Sequence, residues 1–226
     1  MSKFASVSLT EESALPFVPG DSISASLVAS RCVFKIGGPP QYFDLGNEII
    51  ERVAKNITVQ EPKSKGLRFA AVSIILRNSE SPSVLLIKRA ERVGDPWSGQ
   101  IAFPGGKMQP GDRTAKDTAV RETMEEVGVD LEKAAEFLGY ADTTTTHTGT
   151  MDVVPTVFFL KQGVEVRPNE EVASYRWVNL EDFLNPNGNS TYKFNYDGRN
   201  IEMPSYLVGD YVVWGLTHRI LTSVLK

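Results

Sequence analysis

The sequence predicts an α+β domain in which one mixed β-sheet lies between helices on two faces, an α/β/α sandwich. Three observations carry this expectation. Short β-branched and apolar runs alternate with helix-period stretches in the order strands, helix, strands, helix. A glycine-rich turn, Pro104-Gly105-Gly106, runs straight into an acidic helix. Of the 226 residues, 41% are apolar, enough for a sizeable core in one domain with extensions.

Residues 1–40 are frequent in Ser, Pro and Gly and carry little periodicity. Over 45–57, Leu45, Ile49, Ile50, Val53 and Ile57 recur at helical spacing with charged residues between them, which predicts an amphipathic helix. Residues 60–66 read as a polar linker. The expected division is therefore an N-terminal extension with one helix over 1–65 and the main domain over 66–226. Phe69 to Leu76 is a near-continuous buried strand, 78–82 a turn, and Val84 to Lys88 the returning strand. A long irregular loop follows, then a short strand over Ile101–Phe103. Beyond the acidic helix, strands are expected over Phe137–Thr143 and Val153–Leu160, with Pro155 suggesting an edge or a bulge. Between them lies a polar loop with four threonines and His147. Arg167–Glu171 is read as a loop and Ser174–Val178 as a strand. Asn179 or a neighbour opens a one-turn helix that ends before Pro186. Tyr192–Met203 forms a hairpin around Asp197-Gly198. A C-terminal helix is expected over 209–225, with Asp210 as cap and Val212, Leu216, Ile220 and Val224 as its apolar stripe.

Composition narrows the function. The net charge of −4 argues against duplex nucleic acid or an anionic membrane as main partner. The single cysteine, Cys32, allows neither an intrachain disulfide nor a zinc-binding cysteine cluster, and is expected to be a buried thiol. No apolar run approaches the roughly 18 residues of a membrane helix, and no secretory signal is visible, so the expected location is the cytoplasm.

The chemistry concentrates in residues 104–129. Thr114 is placed to cap a helix with Asp117 three residues on, and Gly128 to end it. Glu122, Glu125 and Glu126 fall within an arc of about 100°. Ala119, Val120, Thr123, Met124 and Val127 are expected to face the core. Three carboxylates on one arc repel each other by some tenths of a kcal/mol per pair. A hard divalent cation, Mg²⁺ or Mn²⁺, would neutralise them, and an anionic phosphate chain would complete its shell; a solvated charged face is the alternative. Neither the dinucleotide-binding glycine pattern nor the Walker phosphate loop is present.

The set Gly106, Arg121, Glu122, Glu125, Glu126, Gly128 and Val129 resembles the Nudix box. Asp112 stands where that family has Glu, one extra residue separates it from Arg121, and Thr123 occupies the usual aliphatic position. Asp and the extra residue are similar to the coenzyme A pyrophosphatase branch. So are Leu85-Leu86, Arg89-Ala90 and Phe103-Pro104-Gly105-Gly106 upstream, and Val213-Trp214-Gly215-Leu216-Thr217 near the end. Ile87 stands where the branch usually has Thr, and Asp95-Pro96-Trp97-Ser98 replaces an Arg- and His-containing loop.

The resemblance implies a hydrolase that cleaves the diphosphate linkage of a nucleoside diphosphate derivative, coenzyme A or acyl-CoA among them. ADP-ribose, a dinucleoside polyphosphate or a nucleoside triphosphate are alternative substrates, and a catalytically silent nucleotide-sensing module is the alternative from another class. It further implies Glu122, Glu125 and Glu126 as metal-binding acids, with one of them, or a loop acid, orienting or deprotonating water. The Gly105 carbonyl is implied as a further ligand. Arg121 is expected to fix Glu125, and Asp112 to act behind the ligands or to cap its loop. Glu170 and Glu171 are the expected second acid from a distant loop. Arg89 and Arg92 could contact phosphate, and Trp97 could stack on a base or pack locally. His147 could serve as a base, and His218 is expected to be structural. Homodimers are common in the family.

Overall fold

A computed structural model of the chain describes residues 31–34, 41–44, 47–63, 68–78, 81–95, 97–196 and 198–226. Strands β1 (Arg31–Phe34) and β2 (Gln41–Asp44) pair antiparallel, in a region whose sequence showed no pattern. Cys32 lies in β1; the environment of its side chain and residues 1–30 fall outside the description. Helix α1 (Glu48–Lys55) starts at Asn47, whose side chain accepts the Ile49 N–H, and is shorter than the periodicity suggested. Strands β3 (Arg68–Arg77) and β4 (Ser83–Arg89) form the expected hairpin. Then come β5 (Ile101–Ala102), β6 (Gly105–Lys107), α2 (Ala115–Val127), α3 (Leu131–Ala134), β7 (Ala135–Tyr140), β8 (Thr144–Thr145) and β9 (Met151–Leu160). The chain closes with β10 (Val172–Asn179), α4 (Leu180–Leu184), a 3-10 turn (Pro186–Gly188), β11 (Asn189–Tyr196), β12 (Arg199–Val208), β13 (Tyr211–Trp214) and α5 (Gly215–Val224).

The main sheet runs β10-β4-β3-β9-β7, with β5 on β4, β6 on β3 and β8 on β9. Only the β3–β9 pair is parallel among these, from Arg68 opposite Met151 to Leu76 opposite Phe159, so the sheet is mixed as expected. Strand periodicity divides its apolar side chains between two faces. On one face Ala71, Ile75, Leu85, Ile87, Val154 and Phe158 pack with Ala115, Ala119 and Val127 of α2. On the other, Ile74, Leu76, Leu86 and Val157 pack with Ile50 and Val53 of α1, and with Ile220, Leu221 and Val224 of α5. Each fully buried side chain of this size contributes about 1.5–3 kcal/mol. The α1 helix thus shares one core with the sheet. No helix of the described residues is long and apolar enough to cross a membrane.

Two expectations are corrected. Residues 211–214 form β13, not the start of a helix: Leu207 pairs with Val212 and Ser205 with Trp214. Val212, Val213 and Trp214 favour a strand intrinsically, and only the later residues of the stripe are helical. Asp210 is accordingly no cap; it pairs with Arg176 at 2.6 Å. The second concerns Pro155, which lies in an internal strand between β3 and β7. Its missing N–H falls where the neighbour changes from β8 to β7, and its carbonyl accepts the Ala141 N–H at 2.9 Å.

Candidate active site

Helix α2 begins with a complete capping box between Thr114 and Asp117 and ends at Gly128, whose φ of +68° is left-handed. Its buried arc holds Ala115, Thr118, Ala119, Thr123, Val127 and also Glu126. At about 100° per residue, Glu126 sits about 20° from Ala119, while Met124 sits about 140° away. Met124 is accordingly exposed, correcting its assignment to the core. Thr123 faces β3: its hydroxyl donates to Ser73 Oγ at 2.7 Å, and Ser73 donates to the Ala119 carbonyl at 3.1 Å. This buried pair explains the polar residue at an aliphatic position.

The turn before the helix brings main chain against carboxylates. The Gly105 N–H donates to Glu126 Oε2 at 2.8 Å. A Cβ on Gly105, whose φ is +152°, would lie 2.3 Å from the Ala71 carbonyl oxygen, and one on Gly106 would lie 2.4 Å from the Glu122 carboxyl carbon. Only glycine allows the approach at Gly105, while a side chain at Gly106 would push the Glu122 carboxylate aside.

Arg121 is the hub. It holds Asp112 by two bonds, Nε to Oδ1 at 3.1 Å and Nη2 to Oδ2 at 2.8 Å. Its Nη1 donates to Glu122 at 2.8 Å and to Glu125 at 3.2 Å, and its Nη2 to the Lys107 carbonyl at 3.1 Å. The bond from Arg121 brings the Asp112 carboxyl down to about 2, helped by the Gln109 N–H and the Thr118 hydroxyl. Asp112 thus both caps its loop and anchors Arg121, two roles the sequence left as alternatives. Burial pushes Glu126 up to about 7, with the charges of Glu122 and Glu171 adding to it and the Gly105 N–H and Arg89 opposing it. Glu122 is also raised by burial, against the pull of Arg121.

Residues 161–171 dock on the end of α2. The Arg167 N–H donates to the Val127 carbonyl and the Asn169 N–H to the Glu126 carbonyl, both at 2.8 Å. This sets Glu171 within electrostatic reach of Glu122 and Glu126. Glu170 points outward, its side chain 92% exposed, 3.9 Å from Arg92. Of the two expected loop acids, Glu171 is the one that faces the cluster. It pairs with Arg92 at 3.2 Å. Arg89 pairs with Asp95 at 3.1 Å and opposes the raised pKa of Glu126, so it lies beside the acids; its buried Nε has no partner among the described atoms. Trp97 is 45% exposed on the same loop, and its backbone N–H donates to Asp95 Oδ1 at 3.0 Å. His147 is exposed in the turn between β8 and β9. His218 packs on the Tyr206 ring with centroids 4.5 Å apart, on α5 across the sheet from α2. Ser73, and Glu61, which accepts the Ala115 N–H at the start of α2, were missed. Each acts through a contact distant in sequence.

Among the described residues, no three His, Cys, Asp or Glu side chains already converge as a cation cage. Glu122 and Glu125 lean on Arg121, and Glu126 on Gly105. The donor set nevertheless fits a hard divalent ion: oxygen ligands only, two of them on half-buried or buried carboxylates whose mutual repulsion a cation would relieve.

A family model described as the NUDIX domain matches residues 67–196. An uncharacterised protein of Schizosaccharomyces pombe is 34% identical over 165 residues, which cover 62% of this chain and 49% of that protein. The chain therefore spans about half the length of that relative. An uncharacterised Nudix hydrolase of Photorhabdus laumondii, NudL, is 30% identical over 160 residues, 70% of this chain and 84% of its own. A solved MutT/nudix family protein from Enterococcus faecalis aligns with a TM-score of 0.49 and 20% identity, over 73% of this chain and 63% of that one.

Proposed function

The chain belongs to the Nudix hydrolase family, and on that premise we propose that it is a divalent-metal-dependent pyrophosphohydrolase acting on the diphosphate linkage of a nucleoside diphosphate derivative. One observation carries the reading: Glu126 is buried on the Gly105 N–H while Glu122 closes over Gly106, so two acids crowd the glycine turn at one spot. A surface charge cluster has no need of a buried member. Glu122, Glu125, Glu126 and the Gly105 carbonyl would hold Mg²⁺ or Mn²⁺. The bound ion would neutralise the diphosphate and lower the pKa of water. The residues supply the rest. Arg121, fixed by Asp112, orients Glu122 and Glu125. In this reading Glu171 would orient or deprotonate the attacking water, and Arg89 and Arg92 would contact phosphate oxygens, a role favoured by their nearness to the acids. Trp97, exposed beside them, can stack on a base.

Coenzyme A or an acyl-CoA is the proposed substrate, supported by the similarity of Leu85-Leu86, Arg89-Ala90, Phe103-Pro104-Gly105-Gly106 and residues 213–217 to that branch. The setting this implies is cytoplasmic, with a small-molecule partner, no nucleic acid or membrane, and a homodimer as the assembly. The test is a panel of coenzyme A, ADP-ribose, dinucleoside polyphosphates and nucleoside triphosphates with Mg²⁺ or Mn²⁺, products identified by mass. Coenzyme A cleavage must yield 3′,5′-ADP and 4′-phosphopantetheine. Turnover of another member alone would move the substrate within the family. Tight binding without turnover of any would replace the enzyme with a sensor.

A further inference from the structure

The Trp214-Gly215-Leu216-Thr217 stretch joins β13 to α5, across the sheet from the carboxylates, and has no part in the chemistry above. Gly215, with φ of +64°, breaks β13 and starts the helix. Two residues on, Thr217 is 7% exposed, and its hydroxyl donates to the Ile101 carbonyl at 2.9 Å in a buried bond. Ile101 belongs to β5, a two-residue strand whose strand partner among the described residues is β4 alone. From Ile101 the chain runs through Phe103, which is buried, and Pro104, whose carbonyl accepts the Ser73 N–H at 2.8 Å, to Gly105 and its bond to Glu126. Only three residues thus separate Ile101, whose carbonyl Thr217 holds, from Gly105, whose N–H holds Glu126.

We propose that Thr217 is a positioning residue for the carboxylate cluster: its hydroxyl fixes the β5 backbone from the far side of the sheet and so sets where Gly105 meets Glu126. Two features support a role beyond packing. β5 is short: it pairs with β4 at Ala102 with Ile87 and Ile101 with Lys88, and the Arg89 N–H donates to the Gln100 carbonyl just before it. The main chain at Gly105 is also closely packed, with the Ala71 carbonyl and Val72 in the space a side chain would need, so β3 holds it on one side and the run from Ile101 leads into it on the other. Groups that orient ligands from behind are typically worth about 10–100-fold in metal affinity.

The inference rests on the metal-dependent reading of the site, and the experiment separates the two. Free Mn²⁺ is measured by electron paramagnetic resonance in titrations of the full chain as wild type, Thr217→Val and Thr217→Ser, with Mg²⁺-dependent turnover measured alongside. Thr217→Val keeps the shape and removes the donor; Thr217→Ser keeps the donor. The valine variant is expected to bind Mn²⁺ about tenfold more weakly and to need correspondingly more Mg²⁺ for half-maximal turnover, while serine stays within about twofold of wild type. Wild-type Mn²⁺ affinity in a folded valine variant, or an equal loss in both variants, would overturn the positioning role and leave the metal reading intact. Absence of Mn²⁺ binding by the wild type would overturn the metal reading and this inference with it. Should valine prevent folding, Thr217→Ala against Thr217→Ser supplies the same contrast.

Discussion

At the scale of single residues, the site depends on Arg121 being held. Its bidentate bond to Asp112 leaves Nη1 for Glu122 and Glu125, so one guanidinium aligns two acids. Asp112→Asn keeps the shape but removes the charge from a partly buried pair, and is expected to destabilise by about 1–3 kcal/mol. The pH dependence has a definite sign. The folded carboxyl titrates at about 2, below its ordinary 3.8. Its contribution is therefore complete above the ordinary value and lost as pH falls through about 2. Melting temperatures of wild type and variant should differ at neutral pH and converge in strong acid. A difference that persists there would contradict the assignment. Arg121 and the three glutamates were legible in the sequence because their spacing is local. Asp112 remained ambiguous, because pairing with Arg121 depends on the path of the loop between them.

At the scale of elements, α2 was legible because its signals lie within one stretch: a cap at Thr114, a left-handed stop at Gly128, and carboxylates one turn apart. Thr114→Ala removes the acceptor for the Asp117 N–H and should cost about 1 kcal/mol, read as a shift in denaturant midpoint with unchanged slope. A changed slope would mean the helix start does more than cap. The elements misjudged show where local signals compete. Val212 and Leu216 lie four apart and so fit a helical stripe, yet Val212 to Trp214 is a run that suits a strand, and pairing with β12 decides it. Strands β6 and β8 are too short to carry a periodic pattern and exist because β3 and β9 extend beyond their pairing with β4 and β7. The burial of Glu126 was hidden for a related reason. Its angular position put it among the core residues, but a charged residue there is expected only once the Gly105 N–H is known to meet it.

At the scale of the molecule, the mixed sheet with helices on both faces was predictable from element order, and it delivers the turn at Gly105 and the loop at Glu171 to the same end of α2. That convergence was not legible, since it joins segments about 20 and 45 positions from the helix end in sequence. It also sets how stability should respond to pH. Glu126 titrates at about 7 in the folded chain, above its ordinary 4.5. A raised value stabilises fully below about 4.5, and that contribution is lost as pH rises through about 7. Metal-free protein should thus lose on the order of 3 kcal/mol across this window, and Glu126→Gln should not. Mg²⁺ should oppose the loss, because it binds the deprotonated acids. Melting curves with and without chelator across the window test this. A metal-free stability that rises from pH 5 to 8 at this site would contradict it.

The central claim is that the acids of α2 carry a metal-dependent cleavage. Glu125 gives the cleanest access to it, because its side chain is 52% exposed and its bond to Arg121 is one of several that arginine makes. The measurement is the initial rate of Mg²⁺-dependent diphosphate cleavage by wild type and by Glu125→Gln, on the best substrate of the panel, with both chains shown to melt alike. A loss of about a hundredfold or more is expected in the variant, with its fold retained. Equal rates in the two chains would contradict it.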